Sequence, residues 1–336
     1  MNGRMRAITA LIATVLLLGG AATYGVTAVV GAISQRSAAS TLPAGIGEHN
    51  AERVVFRNTA AGADYGLVAS VPAEHPTAPR DVTGVPCDRV AAADHALLCL
   101  RIDRGILTTF SASVIDDAGA VVATWPLPGL PSRARISPDG ELFGFTSFVT
   151  GEAYATIGFS TAARIVGADG ADHGNLESFT LLIDGEESVA ADRNYWGVTF
   201  TDDDNVFYAT AATGGRTWLV RGDISARTLA TVRQTAECPS VSPDGSRIAY
   251  KKNISTTASA HWSIAVLDLT EGVETVLPDT RNIDDQVEWL DESTLLYAVP
   301  RTDAVGDSDV WSLEADGSAP SELFIEHASS PTVVRP

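Results

Sequence analysis

The residues best suited to chemistry in this chain are its clustered carboxylates. Three groups are present: Asp202-Asp203-Asp204, Asp284-Asp285, and the trio Asp303, Asp307 and Asp309 around Gly306. Hard divalent cations prefer such oxygen ligands, so calcium binding is one interpretation of these groups. Turn capping is the other, because aspartate is common in polar turns and no group has the EF-hand spacing.

Other catalytic signatures are missing from the sequence. The histidines are scattered and no pair has metal-ligand spacing; we expect each to be exposed or structural, with His95 in a turn and His327 in a terminal loop (His49, His75, His95, His173, His261, His327). The segment Gly158-Phe159-Ser160-Thr161-Ala162 lacks the second glycine of a nucleophile elbow. We therefore predict no catalytic, cofactor-binding or metal-binding residues.

The three cysteines form no CxxC pair, which excludes a zinc ribbon. Cys87 is expected to open one strand and Cys99 to lie on the next, across a turn near Ala93. Counting outward from that turn places the two side chains nearly opposite each other, and an oxidising exterior favours their pairing. We predict a Cys87–Cys99 disulfide and leave Cys238 as a free, buried thiol.

Composition excludes two broad classes of protein. Of 336 residues, 45% are hydrophobic and 19% are charged, which is incompatible with an intrinsically disordered chain. The formal net charge of −19 would repel phosphate backbones, so a nucleic-acid partner is excluded.

The N-terminal segment has the pattern of an export signal or anchor. Arg4 and Arg6 precede an uncharged, largely apolar run over residues 7–33, which is long enough to cross a bilayer. The arginines place residues 1–6 in the cytoplasm and everything after the run outside. A cleaved signal peptide is the alternative, since Ala21-Ala22-Thr23 and Ala38-Ala39-Ser40 offer small residues. Residues 34–50 are predicted to be a linker to a domain over residues 51–336.

A repeated turn organises that domain. Ser137-Pro138-Asp139-Gly140 and Ser242-Pro243-Asp244-Gly245 each follow a short apolar run and precede a strand-like segment ending in an aromatic residue. Weaker copies lie near Ala93, Thr201 and Leu290. Proline presets the turn, aspartate caps it, and glycine accepts the left-handed conformation, so each copy predicts a β-hairpin.

The spacing of the turns indicates the architecture. Successive turns are separated by 44, 64, 41 and 48 residues, a period typical of four-stranded propeller blades. The long interval contains a strand-like stretch, residues 154–166, and a predicted loop, residues 167–175. A long loop on a rigid scaffold suits recognition, although neutral variation in blade length explains it equally well.

The two ends of the domain complete the count. Residues 53–57 and 65–71 resemble the second and third strands of a blade, with no inner strand before them. The segment 330–336 resembles the inner strand at 238–243 nearly position for position. We predict that this C-terminal strand completes the first blade and closes an all-β, six-bladed β-propeller.

The Ser-Pro-Asp-Gly turns followed by aromatic-ending strands resemble the repeat of TolB-type six-bladed propellers. The resemblance covers residues 50–336 and is closest to exported actinobacterial TolB-like propellers. The 17 residues between the apolar run and the first blade cannot supply the α/β domain that precedes the propeller of TolB. TolB docks protein partners on its propeller, and the resemblance implies a similar role here.

We therefore expect a membrane-tethered, extracytoplasmic propeller that acts as a non-catalytic interaction or scaffold module. Its partner would be a protein or another cell-envelope component, and the domain would be a monomer without a cofactor. The alternative is a hydrolase or lyase with a divalent cation in the central channel, as in lactonase-like propellers. A ligand sensor is the third hypothesis, but residues 1–6 are too few to form a cytoplasmic signalling domain.

Overall fold

The computed structural model describes residues 51–151, 154, 158–256, 259–279 and 281–335. The predicted anchor (residues 7–33), the N-terminal residues 1–6 and the linker (residues 34–50) lie outside the described residues. Among the described residues, no helix is long and apolar enough to cross a bilayer.

The first half of the described chain is almost entirely β-strand. Its elements are β1 (Arg53–Asn58), β2 (Leu67–Pro72), β3 (Asp81–Pro86), β4 (Arg89–Ala93), β5 (Ala96–Arg104), β6 (Thr108–Asp116), β7 (Val121–Pro126), β8 (Leu130–Ile136), β9 (Leu142–Thr150), β10 (Ser160–Gly167), β11 (Asp172–Asn175), a short 3₁₀ helix (Leu176–Ser178), β12 (Thr180–Ile183) and β13 (Glu186–Ser188).

The second half continues in the same way and contains no helix among its described residues. Its elements are β14 (Asn194–Phe200), β15 (Val206–Thr213), β16 (Arg216–Asp223), β17 (Thr228–Gln234), β18 (Glu237–Val241), β19 (Arg247–Asn253), β20 (Trp262–Asp268), β21 (Glu274–Val276), β22 (Glu288–Trp289), β23 (Thr294–Pro300), β24 (Ser308–Glu314), β25 (Glu322–Ile325) and β26 (Ala328–Val334).

These strands form six antiparallel meanders, one for each blade of a six-bladed β-propeller. From the inside outward the sheets are β26-β1-β2-β3, β4-β5-β6-β7, β8-β9-β10-β11, β14-β15-β16-β17, β18-β19-β20-β21 and β22-β23-β24-β25, which we number blades 1 to 6. All five predicted turns lie between the first and second strands of blades 2 to 6. The predicted architecture is therefore confirmed.

Ring closure by the C-terminal strand is also confirmed. β26 pairs antiparallel with β1, with Arg53 opposite Val334 and Val55 opposite Thr332. The innermost strand of blade 1 thus follows all other blades in the chain, as expected from the match between residues 330–336 and 238–243.

The hydrophobic core is divided among the six interfaces between neighbouring blades. Successive residues of a strand face opposite sides of a sheet, so Val54 and Phe56 pack against blade 6 while Val55 packs against blade 2. The same alternation directs Ala249 toward blade 6 and Ile248 toward blade 4. Because both faces of each sheet are buried, middle strands such as β15 and β20 are mostly apolar along their length and do not alternate strictly with polar residues.

The long interval between turns differs from the prediction in one respect. Residues 154–166 do not form one strand, since β10 begins only at Ser160, and residues 167–175 are not a long loop. They form a tight turn, with the Gly167 amide donating to the Ala171 carbonyl at 2.8 Å, followed by the outer strand β11. The additional residues instead form β12 and β13, and β12 pairs in parallel with the outer strand β17 of blade 4.

Residues 60–65, between β1 and β2, belong to a separate compact unit and are described by themselves. They form a turn in which the Tyr65 amide donates to the Gly62 carbonyl at 3.3 Å.

Candidate functional site

The six inner strands run in the same direction and surround a central channel. We call the end where the first strand of each blade turns into the second the turn end. The opposite end, where the second strand is joined to the third, is the loop end. Each end has its own set of side chains, and together with the channel they form the candidate functional site.

The turn end is built by the repeated sequence motif. Ser242 Oγ donates to Asp244 Oδ1 at 2.6 Å, and the Ser246 amide donates to the same oxygen at 3.0 Å. Gly245 has a φ of +71°, the left-handed conformation that the motif predicts. Ser137, Asp139 and Gly140 repeat this arrangement in blade 3, with 2.6 Å between Ser137 Oγ and Asp139 Oδ1.

A cavity of about 410 Å³ opens at the turn end, and we call it the mouth cavity. All six blades contribute to its wall, through Asp94, Pro138, Asp202, Pro243, Trp289 and Val333 among others. Its cations are already paired: Arg135 forms an ion pair with Glu288, and Arg335 Nε lies 3.1 Å from Glu52 Oε1. The mouth cavity therefore presents short polar turns without a strong net charge.

The loop end holds a buried ionic cluster. The Lys251 side chain is fully buried and forms an ion pair with Asp284, while Arg133 Nη2 lies 3.9 Å from the same carboxylate. Burial raises the pKa of Asp284, but the positive charges of Lys251 and Arg133 outweigh that effect and hold the pKa below its usual range. One carboxylate thus neutralises part of the charge of two buried cations.

Aromatic rings surround this cluster. Lys251 Nζ lies 4.4 Å from the centroid of the Trp262 ring and 5.0 Å from that of Tyr154, distances suited to cation–π interactions. Tyr154 stacks on Trp196 with 5.2 Å between ring centroids, and its hydroxyl lies 2.5 Å from Ser132 Oγ. The aromatic rings close the loop end around the ions.

Two further buried groups adjoin the cluster. Glu237 is opposite Lys251 in the pairing of β18 with β19, and burial raises the pKa of its carboxyl to about 7 despite the charge of Lys251. The next residue, Cys238, is a buried free thiol, as predicted. Gly197 on the neighbouring inner strand must be glycine, since it has a φ of +66° and a Cβ there would lie 2.8 Å from Cys238 Cα.

The acidic groups singled out in the sequence have structural partners. Asp307 accepts from Thr59 Oγ1 at 2.6 Å and contacts His327, and Asp309 pairs with Arg301 at 3.1 Å. Turn capping does not describe Asp284 and Asp285, which lie in the segment leading into blade 6: Asp284 contacts Lys251 and Arg133, and Asp285 accepts from the Ala298 amide at 3.1 Å. Among the described residues no group of three His, Cys, Asp or Glu side chains is arranged to hold a metal ion.

The remaining predicted residues are placed as follows. Asp203 caps its own turn by accepting from the Asn205 amide at 3.0 Å, and exposed His95 contacts Asp94 and Asp117. Cys87 and Cys99 are joined as a disulfide with 5.4 Å between their Cα atoms. Cys87 lies two residues before β4 and does not open that strand.

The residues that sequence reasoning missed are those of the loop end. Lys251 and Glu237 are charged residues on strands whose other residues are largely buried, and that contrast was the available signal. Tyr154 and Arg133 carried no comparable signal, because their partners come from distant parts of the chain.

Comparisons with known proteins bear on the fold. No protein-family model and no curated protein sequence matches the chain. Among solved structures, TolB from Acinetobacter baumannii matches with a TM-score of 0.57 at 14% identity, over 86% of this chain and 68% of that one. A chain of a nidogen/laminin complex matches with a TM-score of 0.56 at 12% identity, over 84% and 98%.

A third structure, described as TolB from Agrobacterium tumefaciens, has a TM-score of 0.48 at 10% identity, over 83% of this chain and 91% of that one. The match to TolB from Acinetobacter baumannii, together with the six blades described above, shows that the described chain has a six-bladed propeller fold like that of TolB, which confirms the resemblance found in the sequence. At these identities the likeness concerns the fold alone.

Proposed function

We propose that this chain is a membrane-tethered, extracytoplasmic β-propeller that binds a protein or another cell-envelope component without catalysing a reaction. The mouth cavity carries the proposal. Its volume of about 410 Å³ lies in the range of pockets that hold a ligand or a protruding segment of a partner. All six blades form its wall, so a bound segment would contact rigid turns on every side.

The state of the channel behind the mouth cavity supports binding over catalysis. Arg135 and Glu288 pair at the base of the cavity, and Lys251 and Asp284 pair near the loop end. Carboxylates engaged in this way neutralise cations, so they are poorly placed to serve as a free base or as ligands of a divalent cation.

The nidogen/laminin structure shows by its description that a chain of similar fold takes part in a complex of two proteins. A protein partner for this chain is consistent with that precedent. The export and the tether rest on the sequence of residues 1–50.

Site-specific photo-crosslinking tests the binding face. We would place a benzoylphenylalanine at Asp202 on the rim of the mouth cavity and, as the matched control, at exposed Arg216 near the loop end. In intact source cells, a discrete adduct from position 202 and none from position 216 is expected. Equal adducts from both positions, or none from either, would contradict a partner at the mouth cavity.

Two further measurements test the remaining parts of the proposal. The full chain is expected to remain in the membrane fraction after an alkaline carbonate wash, whereas release into the supernatant would contradict the tether. Turnover of lactone or polysaccharide substrates with calcium or manganese would overturn the non-catalytic role.

A further inference from the structure

A small chamber lies in the channel behind the mouth cavity. Its volume is about 20 Å³, and its wall includes Arg89, Arg133, Arg135, Ser132, Asp285 and Ser330. These residues come from inner strands β4, β8 and β26 of blades 2, 3 and 1 and from the segment entering blade 6. The chamber thus lies where the closing strand meets the first blades.

Two guanidinium groups at this chamber have at least one donor without a partner among the described residues. The Arg89 guanidinium, which is half-buried, forms no hydrogen bond or close ion pair with any of them, although the Asp285 carboxylate attracts its charge. Arg133 is buried, and its Nε has no partner in the described part of the chain. Arg133 Nη1 donates to the Ser132 carbonyl at 3.0 Å, and Nη2 reaches the Asp284 carbonyl at 3.4 Å. Buried polar groups nearly always have partners, so the unpaired Arg133 Nε indicates a missing acceptor.

The charges around the chamber also indicate a missing negatively charged acceptor. Four cations lie along this part of the channel: Arg89, Arg133, Arg135 and Lys251. The acidic groups near them are the carboxylates of Asp284, Asp285 and Glu288 and the carboxyl of Glu237, whose pKa is raised. Burial and the neighbouring charge of Arg133 lower the pKa of Arg89, and the attraction of the Asp285 carboxylate offsets only part of this effect.

Only one carboxylate, that of Asp285, lines the chamber itself, and its Oδ2 already accepts from the Ala298 amide at 3.1 Å. Asp284 is engaged by Lys251 and Arg133, and Glu288 by Arg135. The carboxylates on this stretch therefore leave the Arg89 donors unmatched, and an acceptor of negative charge would satisfy them.

We propose that a small monovalent anion of halide size occupies this chamber, bound by Arg89 and Arg133. The volume sets the class of ligand, since about 20 Å³ of space holds one water-sized particle and excludes phosphate, sulfate or a sugar acid. Chloride is the natural probe. Such an anion would hold the closing strand of blade 1 against the inner strands of blades 2 and 3.

Chloride-dependent stability tests the proposal in solution. The full chain, purified in detergent, would be melted at constant ionic strength with chloride replaced stepwise by gluconate. The melting temperature is expected to rise by several degrees between about 1 and 150 mM chloride, because a ligand that binds only the folded state stabilises it by mass action. Arg89→Met should abolish this rise, and the matched control Arg216→Met, at an exposed position near the loop end, should retain it.

Crystals grown in bromide supply the second readout. An anomalous peak between Arg89 and Arg133, together with the chloride-dependent rise in melting temperature, would support the proposal. A peak without the rise would mean an adventitious ion only, and ordered water without a peak would also overturn the anion. If Arg89→Met fails to fold, the wild-type chloride series and the bromide map decide the question together.

Discussion

At the turn end of the channel short polar hairpin turns surround an open cavity, whereas at the loop end large and charged side chains fill the space. The turn end repeats one local motif, in which Ser242 and Asp244 satisfy each other and the neighbouring amides. The loop end has no repeat: Lys251, Asp284 and Tyr154 come from three different blades or connections. The contacts at the turn end are thus determined within each hairpin, whereas those at the loop end depend on the assembled ring.

The largest effect should come from breaking the ionic cluster at the loop end. Asp284→Ala would leave the buried side chains of Lys251 and Arg133 without their shared carboxylate, which is itself 35% exposed. The loss of unfolding free energy should therefore lie near the lower end of the range for a buried ion pair, at about 3 kcal/mol. Denaturant unfolding measures this loss. The matched control at the turn end, Asp202→Ala, removes an exposed carboxylate and should change the unfolding free energy by less than about 0.5 kcal/mol. Equal effects at the two ends would contradict the comparison.

The second-largest loss of unfolding free energy should come from removing the Cys87–Cys99 disulfide. It closes a loop with a sequence separation of 12, for which the chain-entropy model gives a stabilisation of about 3 kcal/mol. Replacing both cysteines by serine should lower the unfolding free energy by about this amount. Cys238→Ser gives a different control, because mass spectrometry after alkylation should still detect the disulfide and no free thiol. Reactive thiols at Cys87 and Cys99 in that variant would show that the bond is absent.

The next effect is a pH dependence of the unfolding free energy that arises at the loop end and not at the turn end. Burial raises the pKa of Glu237 to about 7 from 4.5, so between these values the folded state keeps a proton that the unfolded state releases. The unfolding free energy therefore falls as pH rises through this window, by up to about 3 kcal/mol for this group, and levels off above pH 7.

Glu237→Gln removes the titrating proton, so the variant should lack this slope and the difference between wild type and variant should show it. Glu141→Gln, at an exposed turn-end position, should leave the slope unchanged. Parallel curves for wild type and Glu237→Gln between pH 4.5 and 7 would place the titration elsewhere.

The smallest effect belongs to the turn motif. Asp244→Ala should cost about 1 kcal/mol, since it removes one capping acceptor from an exposed turn. Asp139→Ala should cost the same, and the double variant should show the sum, because the two turns lie in different blades. Strong non-additivity in urea unfolding would mean that the turns at this end act as a unit, contrary to the local character assigned to them.

The sequence could predict what is locally encoded. The Ser-Pro-Asp-Gly turns, the strand pairs around them and the closing strand at residues 328–334 all depend on short patterns, and all are present. The prediction of a long loop over residues 167–175 was wrong, because the Gly and Asp residues of this segment also suit a tight turn between two strands. The partners of Lys251 and Arg133 could not be predicted, since they depend on which strands the ring brings together.

Closure by β26 also has a consequence for how the molecule is made. β1 pairs with β26, which is synthesised only after blades 2 to 6, so blade 1 lacks its inner strand while the rest of the ring emerges. Until then Val54 and Phe56 have no completed interface with blade 6, and the exposed edge of β1 is open to pairing with other chains. Contacts over such a sequence separation form late and slowly, so the period before closure is when a chaperone would matter most to this protein.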